Sequence, residues 1–204
     1  MIHIYTGHYD ACPLNEKYKI EHELGLTLLS RGLSDLYGIN IPTAQLPEHT
    51  AANDYGKPFL KSHPEIIFNI SHCDGLAACG FSNSPIGIDL ERVGPFNPSI
   101  MRKLLTDDEK TFLNQFKDTQ DKYQEYFYRF WTLKESRIKQ AGMGFSMPLQ
   151  SFAFKFDLEN QPLKISCSEE NLWFYQEFIE KDCLLAICSG QEIVDVHFHK
   201  MQGM

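Results

Sequence analysis

At 204 residues the chain is long enough to bury a substantial core, as one domain or two small ones, and fifteen Phe and nine Tyr argue against disorder. A formal net charge of −8 speaks against non-specific binding to nucleic acid or to a membrane surface. No apolar run approaches the length of a transmembrane helix, no signal peptide is evident, and the six cysteines (Cys12, Cys73, Cys79, Cys167, Cys183, Cys188) include no Cys-x-x-Cys pair, so buried free thiols and a reducing, cytoplasmic setting are expected.

In chain order, residues 2–6 read as a strand and 14–37 as mainly helix, stopped by Gly38 ahead of Pro42. Residues 42–64, with four prolines and Gly56, read as loop. Three short strands are expected at 66–70, 76–81 and 86–91, and 94–98 breaks the chain. Thr106-Asp107-Asp108-Glu109 has the form of a capping box opening a helix. The polar stretch 117–122 interrupts it, and a long helix then runs to about Gln140. Strands follow at 151–156, 172–179 and 183–188. Each part of the chain, 1–95 and 96–204, thus offers a helix followed by about three strands, which predicts an α+β fold of two similar α/β halves related by a pseudo-twofold axis.

Three segments carry the candidate chemistry. In Pro85-Ile86-Gly87-Ile88-Asp89-Leu90-Glu91 the two acids lie two apart on a strand and share a face, a costly placement without a compensating cation. Phe127, Trp131, Glu135 and Lys139 are spaced by four on the long helix, with Tyr128 and Ile138 filling the same side. Bringing Glu135 to Asp89 and Glu91 would give an all-oxygen cluster of the kind that Mg²⁺ favours, completed by water and a substrate phosphate. Lys139 and the His72 of Phe68-Asn69-Ile70-Ser71-His72 would then face the remaining phosphate charge.

Ordinary roles account for the neighbours. Without the other motifs, Asp89 and Glu91 read as solvated acids at a strand end, and Glu135 with Lys139 as a surface pair worth a few tenths of a kcal/mol. Lys134 reads as solvated on the adjoining face, Trp131 and Phe127 as core, and Glu109 as part of the capping box although it could serve as a base. His197 and His199 have metal-compatible strand spacing but, near the end of the sequence, are expected to be exposed.

Four elements recur in order over roughly ninety residues: Gly56-Lys57-Pro58, Phe68-Asn69-Ile70-Ser71-His72, Gly87-Ile88-Asp89-Leu90-Glu91, and Trp131-Thr132-Leu133-Lys134-Glu135-Ser136 running on to Lys139 and Gly142. In this the chain resembles the 4′-phosphopantetheinyl transferases of the surfactin-synthetase type, and the likeness extends more loosely through Gly142 to Leu149 and Ser151-Phe152. The resemblance implies transfer of the phosphopantetheine arm of coenzyme A to a serine of an apo acyl or peptidyl carrier protein, with release of adenosine 3′,5′-bisphosphate. It implies Mg²⁺, or Mn²⁺, held by Asp89, Glu91 and Glu135, with Glu135 also the base and Lys139 on the phosphates. Ser71 and His72 match the phosphate-contacting pair, and Lys57 and Pro58 the element beside the adenosine.

The family usually carries several basic residues ahead of the Gly-Lys-Pro element to clamp the 3′-phosphate. Here the nearby cations are Lys17, Lys19, His22 and Arg31, and His22 and Glu23 stand about where the family tends to place an arginine and a small hydroxyl residue. A monomer with no nucleic-acid or membrane partner is expected. Two other functions use the same residues: a Mg²⁺-dependent phosphoryl or nucleotidyl transferase with another pyrophosphate substrate, and a non-catalytic module that binds coenzyme A or a carrier.

Overall fold

The computed structural model describes residues 1–159 and 163–201. Strand β1 (Ile2–His8) leads into helix α1 (Leu14–Tyr37), whose Leu24, Leu28, Leu29 and Leu33 form a buried stripe at helical spacing. The stretch expected to be loop instead carries the short helix α2 (Leu46–His49) and a hairpin of β2 (Thr50–Ala52) and β3 (Pro58–Leu60). The side-chain oxygen of Asn53 closes that hairpin by accepting from the N–H groups of Tyr55 and Lys57. Strands this short, among prolines, leave no readable alternation.

Strands β4 (Ile67–Cys73), β5 (Leu76–Ser82) and β6 (Ile86–Arg92) follow close to where the sequence puts them. After α3 (Met101–Leu104), α4 (Asp107–Asn114) and the long α5 (Gln120–Ala141) come β7 (Phe154–Asp157), β8 (Lys164–Cys167), β9 (Trp173–Phe178), β10 (Cys183–Ser189) and β11 (Val196–Lys200). The sequence does not announce β8. β7 begins at Phe154 rather than at 151 because the Ser151 N–H is spent in a turn on the Pro148 carbonyl.

The result is a mixed α+β fold with two main sheets, ordered β11-β1-β5-β4 and β6-β10-β9, beside the β2-β3 and β7-β8 pairs. Helix α1 covers the first sheet, with Tyr5, Phe68 and Phe81 in its core. Helix α5 packs on the second sheet and anchors an aromatic-rich core with Phe127, Phe130, Phe152 and Phe154. β11 pairs in parallel with β1 and sets His199 against His3, with Nε2 and Nδ1 3.0 Å apart and the His199 ring stacked on Tyr5. His199 is therefore half-buried, contrary to expectation, while His197 is exposed. Among the described residues no helix is long and apolar enough to cross a membrane.

Two polar devices hold the sheets and α5 in place. β4 and β6 are each the edge of their own sheet, and side chains bridge them. Asn69 Oδ1 accepts from the Ile88 N–H at 2.8 Å, and Ser71 Oγ accepts from the Leu90 N–H at 3.1 Å.

The second device corrects the sequence reading of Lys134, which is not solvated but wholly buried. Its ammonium lies 3.0 Å from Glu109 and donates to the Leu149 and Phe152 carbonyls at 2.7 and 2.8 Å. Glu109 completes the expected capping box, accepting from the Thr106 N–H at 2.8 Å, and its other oxygen accepts from the Phe154 N–H. It has no oxygen left to act as a base. The misreading has a physical cause: one lysine among helical polar residues shows no sign of a partner 25 positions earlier.

Removing one partner of this pair should leave the other charged and uncompensated. Lys134→Met is expected to cost about 3–5 kcal/mol in urea unfolding, and Glu109→Gln/Lys134→Met less than the sum of the two single changes. A loss below about 1 kcal/mol for Lys134→Met would mean that the pair is dispensable.

Candidate active site

Three elements remote in sequence converge at the junction of β4 and β6. Ser71 and His72 come from β4, Asp89 and Glu91 from β6, and Trp131, Glu135 and Lys139 from α5, all lining one open pocket of about 680 Å³. Helix α5 can approach because β6 carries Gly87 beneath it. A Cβ at that position would collide with the Ser136 carbonyl and the Gln140 backbone nitrogen. The helix stops at Gly142, φ 65°, whose carbonyl accepts from Asn53 Nδ2 at 2.8 Å.

The pocket is short of positive charge. Lys139 Nζ donates to Asp89 Oδ1 at 2.6 Å and to Ser71 Oγ at 2.9 Å, and Ser71 Oγ lies 3.3 Å from the same Asp89 oxygen. Lys103 of α3 also lines the pocket, but from an exposed position. Asp89 is 4 % exposed, and its Oδ2 is buried with no hydrogen-bond partner, which is costly for a carboxylate. Glu91 and Glu135 are each pushed up to about 7, first by burial and then by the charge of Asp89, with Lys139 opposing. The Trp131 side chain beside Glu91 favours its ionised form.

Three carboxylates around one lysine, with an orphaned oxygen among them, make an all-oxygen donor set that fits a hard divalent cation. Among the described residues, however, no three His, Cys, Asp or Glu side chains are already closed around a metal position. Asp89 is engaged by Lys139 instead.

His72 sits at the rim, half-exposed, with Nδ1 3.1 Å from Glu21 Oε2. Burial lowers its pKa, Glu21 opposes that, and Lys139 adds to it. Glu21 is itself buried on α1, with Oε1 accepting from the Tyr9 hydroxyl at 2.6 Å. A second pocket, of about 460 Å³, runs on from His72 and Ile70 past Glu21, His22 and Pro58.

Lys57 lines neither pocket. Its ammonium donates to the Ile86 and Gln140 carbonyls at 2.9 and 3.0 Å, tying the start of β6 to the end of α5, and burial pushes its pKa down to about 8. Of the cations named for a clamp, only His22 reaches the second pocket. Lys17 is paired with Asp74 at 2.9 Å, Lys19 with Glu23 at 3.8 Å and Arg31 with Asp35 at 2.7 Å.

Two residues of the site escape the sequence reading. Trp131 packs on the aromatic core as expected but also lines the pocket, and its position one turn before Glu135 on the same helical face was the available signal. Glu21 lies three and seven residues ahead of Leu24 and Leu28, on the buried stripe of α1, so helical periodicity alone places a carboxylate at an interior position.

The family model described as the 4′-phosphopantetheinyl transferase superfamily matches residues 85–188. The 4′-phosphopantetheinyl transferase Sfp of Bacillus subtilis (strain 168) is 31 % identical over 141 residues, covering 69 % of this chain and 62 % of the relative. A 4′-phosphopantetheinyl transferase of Bacillus subtilis is 34 % identical over 138 residues, 67 % of this chain and 61 % of the relative. The 4′-phosphopantetheinyl transferase ffp of Bacillus subtilis is 35 % identical over 171 residues, 82 % of this chain and 73 % of the relative. The chain thus spans about three fifths of the length of the first two.

The raised carboxyls give a pH dependence of definite sign. Between the ordinary value of 4.5 and about 7, the folded protein holds more protons on Glu91 and Glu135 than the unfolded chain does, so stability falls as pH rises through that window. With chelator present, urea unfolding at pH 5.5 and pH 8 should differ by about 2 kcal/mol in favour of the lower pH. Glu91→Gln/Glu135→Gln should flatten the slope, which separates these groups from His72. An unchanged slope in the double variant would remove the two carboxyls as its cause.

Proposed function

This chain belongs to the 4′-phosphopantetheinyl transferase superfamily, and we propose that it transfers the 4′-phosphopantetheine arm of coenzyme A to a serine of an apo acyl or peptidyl carrier protein. The product released from the donor is adenosine 3′,5′-bisphosphate. The observation that carries this reading is the shared pocket lined by Ser71, His72, Asp89, Glu91, Glu135 and Lys139, a set of acids that would hold a divalent cation beside a lysine and so, with that cation, receive a pyrophosphate.

In the proposed reaction the carrier serine oxygen bonds to the phosphorus bearing pantetheine, and the bond to the adenosine-side phosphate breaks. Glu135, with its pKa raised to about 7, takes the serine proton. The ammonium of Lys139, now on Asp89 and Ser71, meets the charge that grows on the leaving phosphate. Asp89, Glu91 and Glu135 would hold Mg²⁺ or Mn²⁺. Such an ion, when bound, offsets phosphate charge.

The same reading extends to architecture and setting. Helix α1 on one sheet and α5 on the other support two halves, 1–95 and 96–204, related by a pseudo-twofold axis, each lending a strand to the other's sheet through β6 and β11. Free thiols at all six cysteines support a reducing, cytoplasmic setting, in which we take the protein to act as a monomer serving fatty-acid, polyketide or nonribosomal peptide synthesis.

Intact-mass analysis of apo carriers incubated with the protein, coenzyme A and Mg²⁺ should show a gain of one phosphopantetheine unit. No gain on any acyl or peptidyl carrier would sink the proposal.

Within that assay Asp89→Ala should lose about a hundredfold or more in turnover while its far-ultraviolet circular dichroism stays native. Normal turnover in this variant would dismiss the metal assignment. Glu135→Gln should fall about 10²–10⁴-fold even at saturating Mg²⁺, because an amide still coordinates but accepts no proton.

Lys139→Ala should lose turnover at least as strongly as affinity for coenzyme A, by about 10²-fold, with partial recovery in Lys139→Arg. A change confined to the Michaelis constant would make Lys139 a binding residue only.

A further inference from the structure

Along β4, Asn69, Ser71 and Cys73 are two apart, all buried, and share one face. The first two bridge to β6 of the second sheet, and the third meets that sheet at β10, where its sulfur lies 3.4 Å from that of Cys183. We infer that this thiol pair is a redox-modification site, which hydrogen peroxide closes into a reversible disulfide that ties the two sheets together. Neither cysteine lines the carboxylate pocket, and neither takes part in the transfer reaction proposed above.

All six cysteines are free, and among the described residues this is the one pair of cysteine sulfurs in hydrogen-bond contact. A disulfide needs its sulfurs to close to about 2 Å, which favours side chains that already point at each other, as these do. Cys73 ends β4 and Cys183 begins β10, positions at which a small backbone shift disturbs the fewest ladder bonds. Their exposures of 8 % and 0 % divide the roles: a small oxidant reaches Cys73, and Cys183 is the resolving thiol. The hydrogen bond with Cys183 and burial hold the Cys73 thiol above its ordinary pKa, while Arg92, paired with Cys183 across the ladder, opposes them. Oxidation is therefore slow, and in a reducing setting the pair rests as thiols.

In the first step the Cys73 thiolate bonds to one oxygen of hydrogen peroxide, the O–O bond breaks, and the departing hydroxide takes up the thiol proton as water, leaving a sulfenic acid. The Cys183 sulfur then bonds to the Cys73 sulfur, the S–O bond breaks, and a second water leaves with the Cys183 proton. Two thiols are oxidised and one peroxide is reduced to two waters; a dithiol reductant reverses the change. The cysteines are 110 positions apart, so the cross-link stabilises the fold by restricting a long loop of the unfolded chain.

The test treats the full chain, freshly reduced and freed of reductant, with hydrogen peroxide under native conditions, followed by peptide mapping without reduction. One peptide pair joined through Cys73 and Cys183 is expected, with an intact-mass loss of about 2 Da that dithiothreitol reverses and a melting temperature raised by about 5–15 °C. Cys183→Ser should abolish the link and the shift and leave Cys73 sulfenic acid to be trapped by dimedone, whereas Cys12→Ser should keep both. A disulfide between other cysteines, sulfinic acid at Cys73 without a link, thiols that survive until urea unfolds the chain, or a link that lowers the melting temperature would each overturn the inference. The wild-type map needs no variant, so it decides even where Cys183→Ser misfolds.

Discussion

Ile88 and Leu90 present backbone N–H groups on the β4 side of β6, and they are met by the side chains of Asn69 and Ser71 rather than by a strand backbone. The rest of the site depends on this substitution. Buried N–H groups must find acceptors. Using side chains lets two sheet edges lie together without merging into one ladder. The acids of β6 are thereby brought beside Ser71 and His72. Ser71 does both jobs at once, accepting from Leu90 and Lys139 while facing the pocket, so loss of activity on its removal could not by itself be ascribed to chemistry.

Helix α5 is fixed by a similar economy. Consecutive residues Lys134 and Glu135 go to opposite tasks. Lys134 enters the core to meet Glu109 and two carbonyls, and Glu135 turns into the pocket. Gly87 beneath the helix and Lys57 at its end set how close it comes to β6. The Trp-x-x-Lys-Glu-Ser segment thus interleaves a structural anchor with a face that lines the pocket.

Periodicity made the longer elements legible. The alternation of 86–91 and the four-residue spacing from Phe127 to Lys139 gave β6, α5 and the faces on which Asp89, Glu91, Glu135 and Lys139 lie. Features set by distant partners were not legible. The burial of Lys134 follows from Glu109, the engagement of Lys57 from two carbonyls remote in sequence, and the role of Glu21 from His72 and Tyr9. The β2-β3 hairpin and β8 were lost for a different reason, being too short to carry a period.

The charge balance of the pocket links its parts. Lys139 is the cation set among Asp89, Glu91 and Glu135, and it is already spent on Asp89, while Lys103 stands at an exposed position on the wall. The other two acids respond by holding their protons up to about pH 7. A pyrophosphate entering such a site would meet further negative charge in a partly desolvated setting, where repulsion is weakly screened. Lys139 cannot offset both. In the proposed reaction, donor binding would therefore be coupled either to protonation of Glu91 and Glu135 or to the arrival of compensating positive charge. Only the second would leave Glu135 ionised, so the charge deficit that raises both carboxyls is the physical reason the proposed reaction would need a cation before Glu135 could accept a proton.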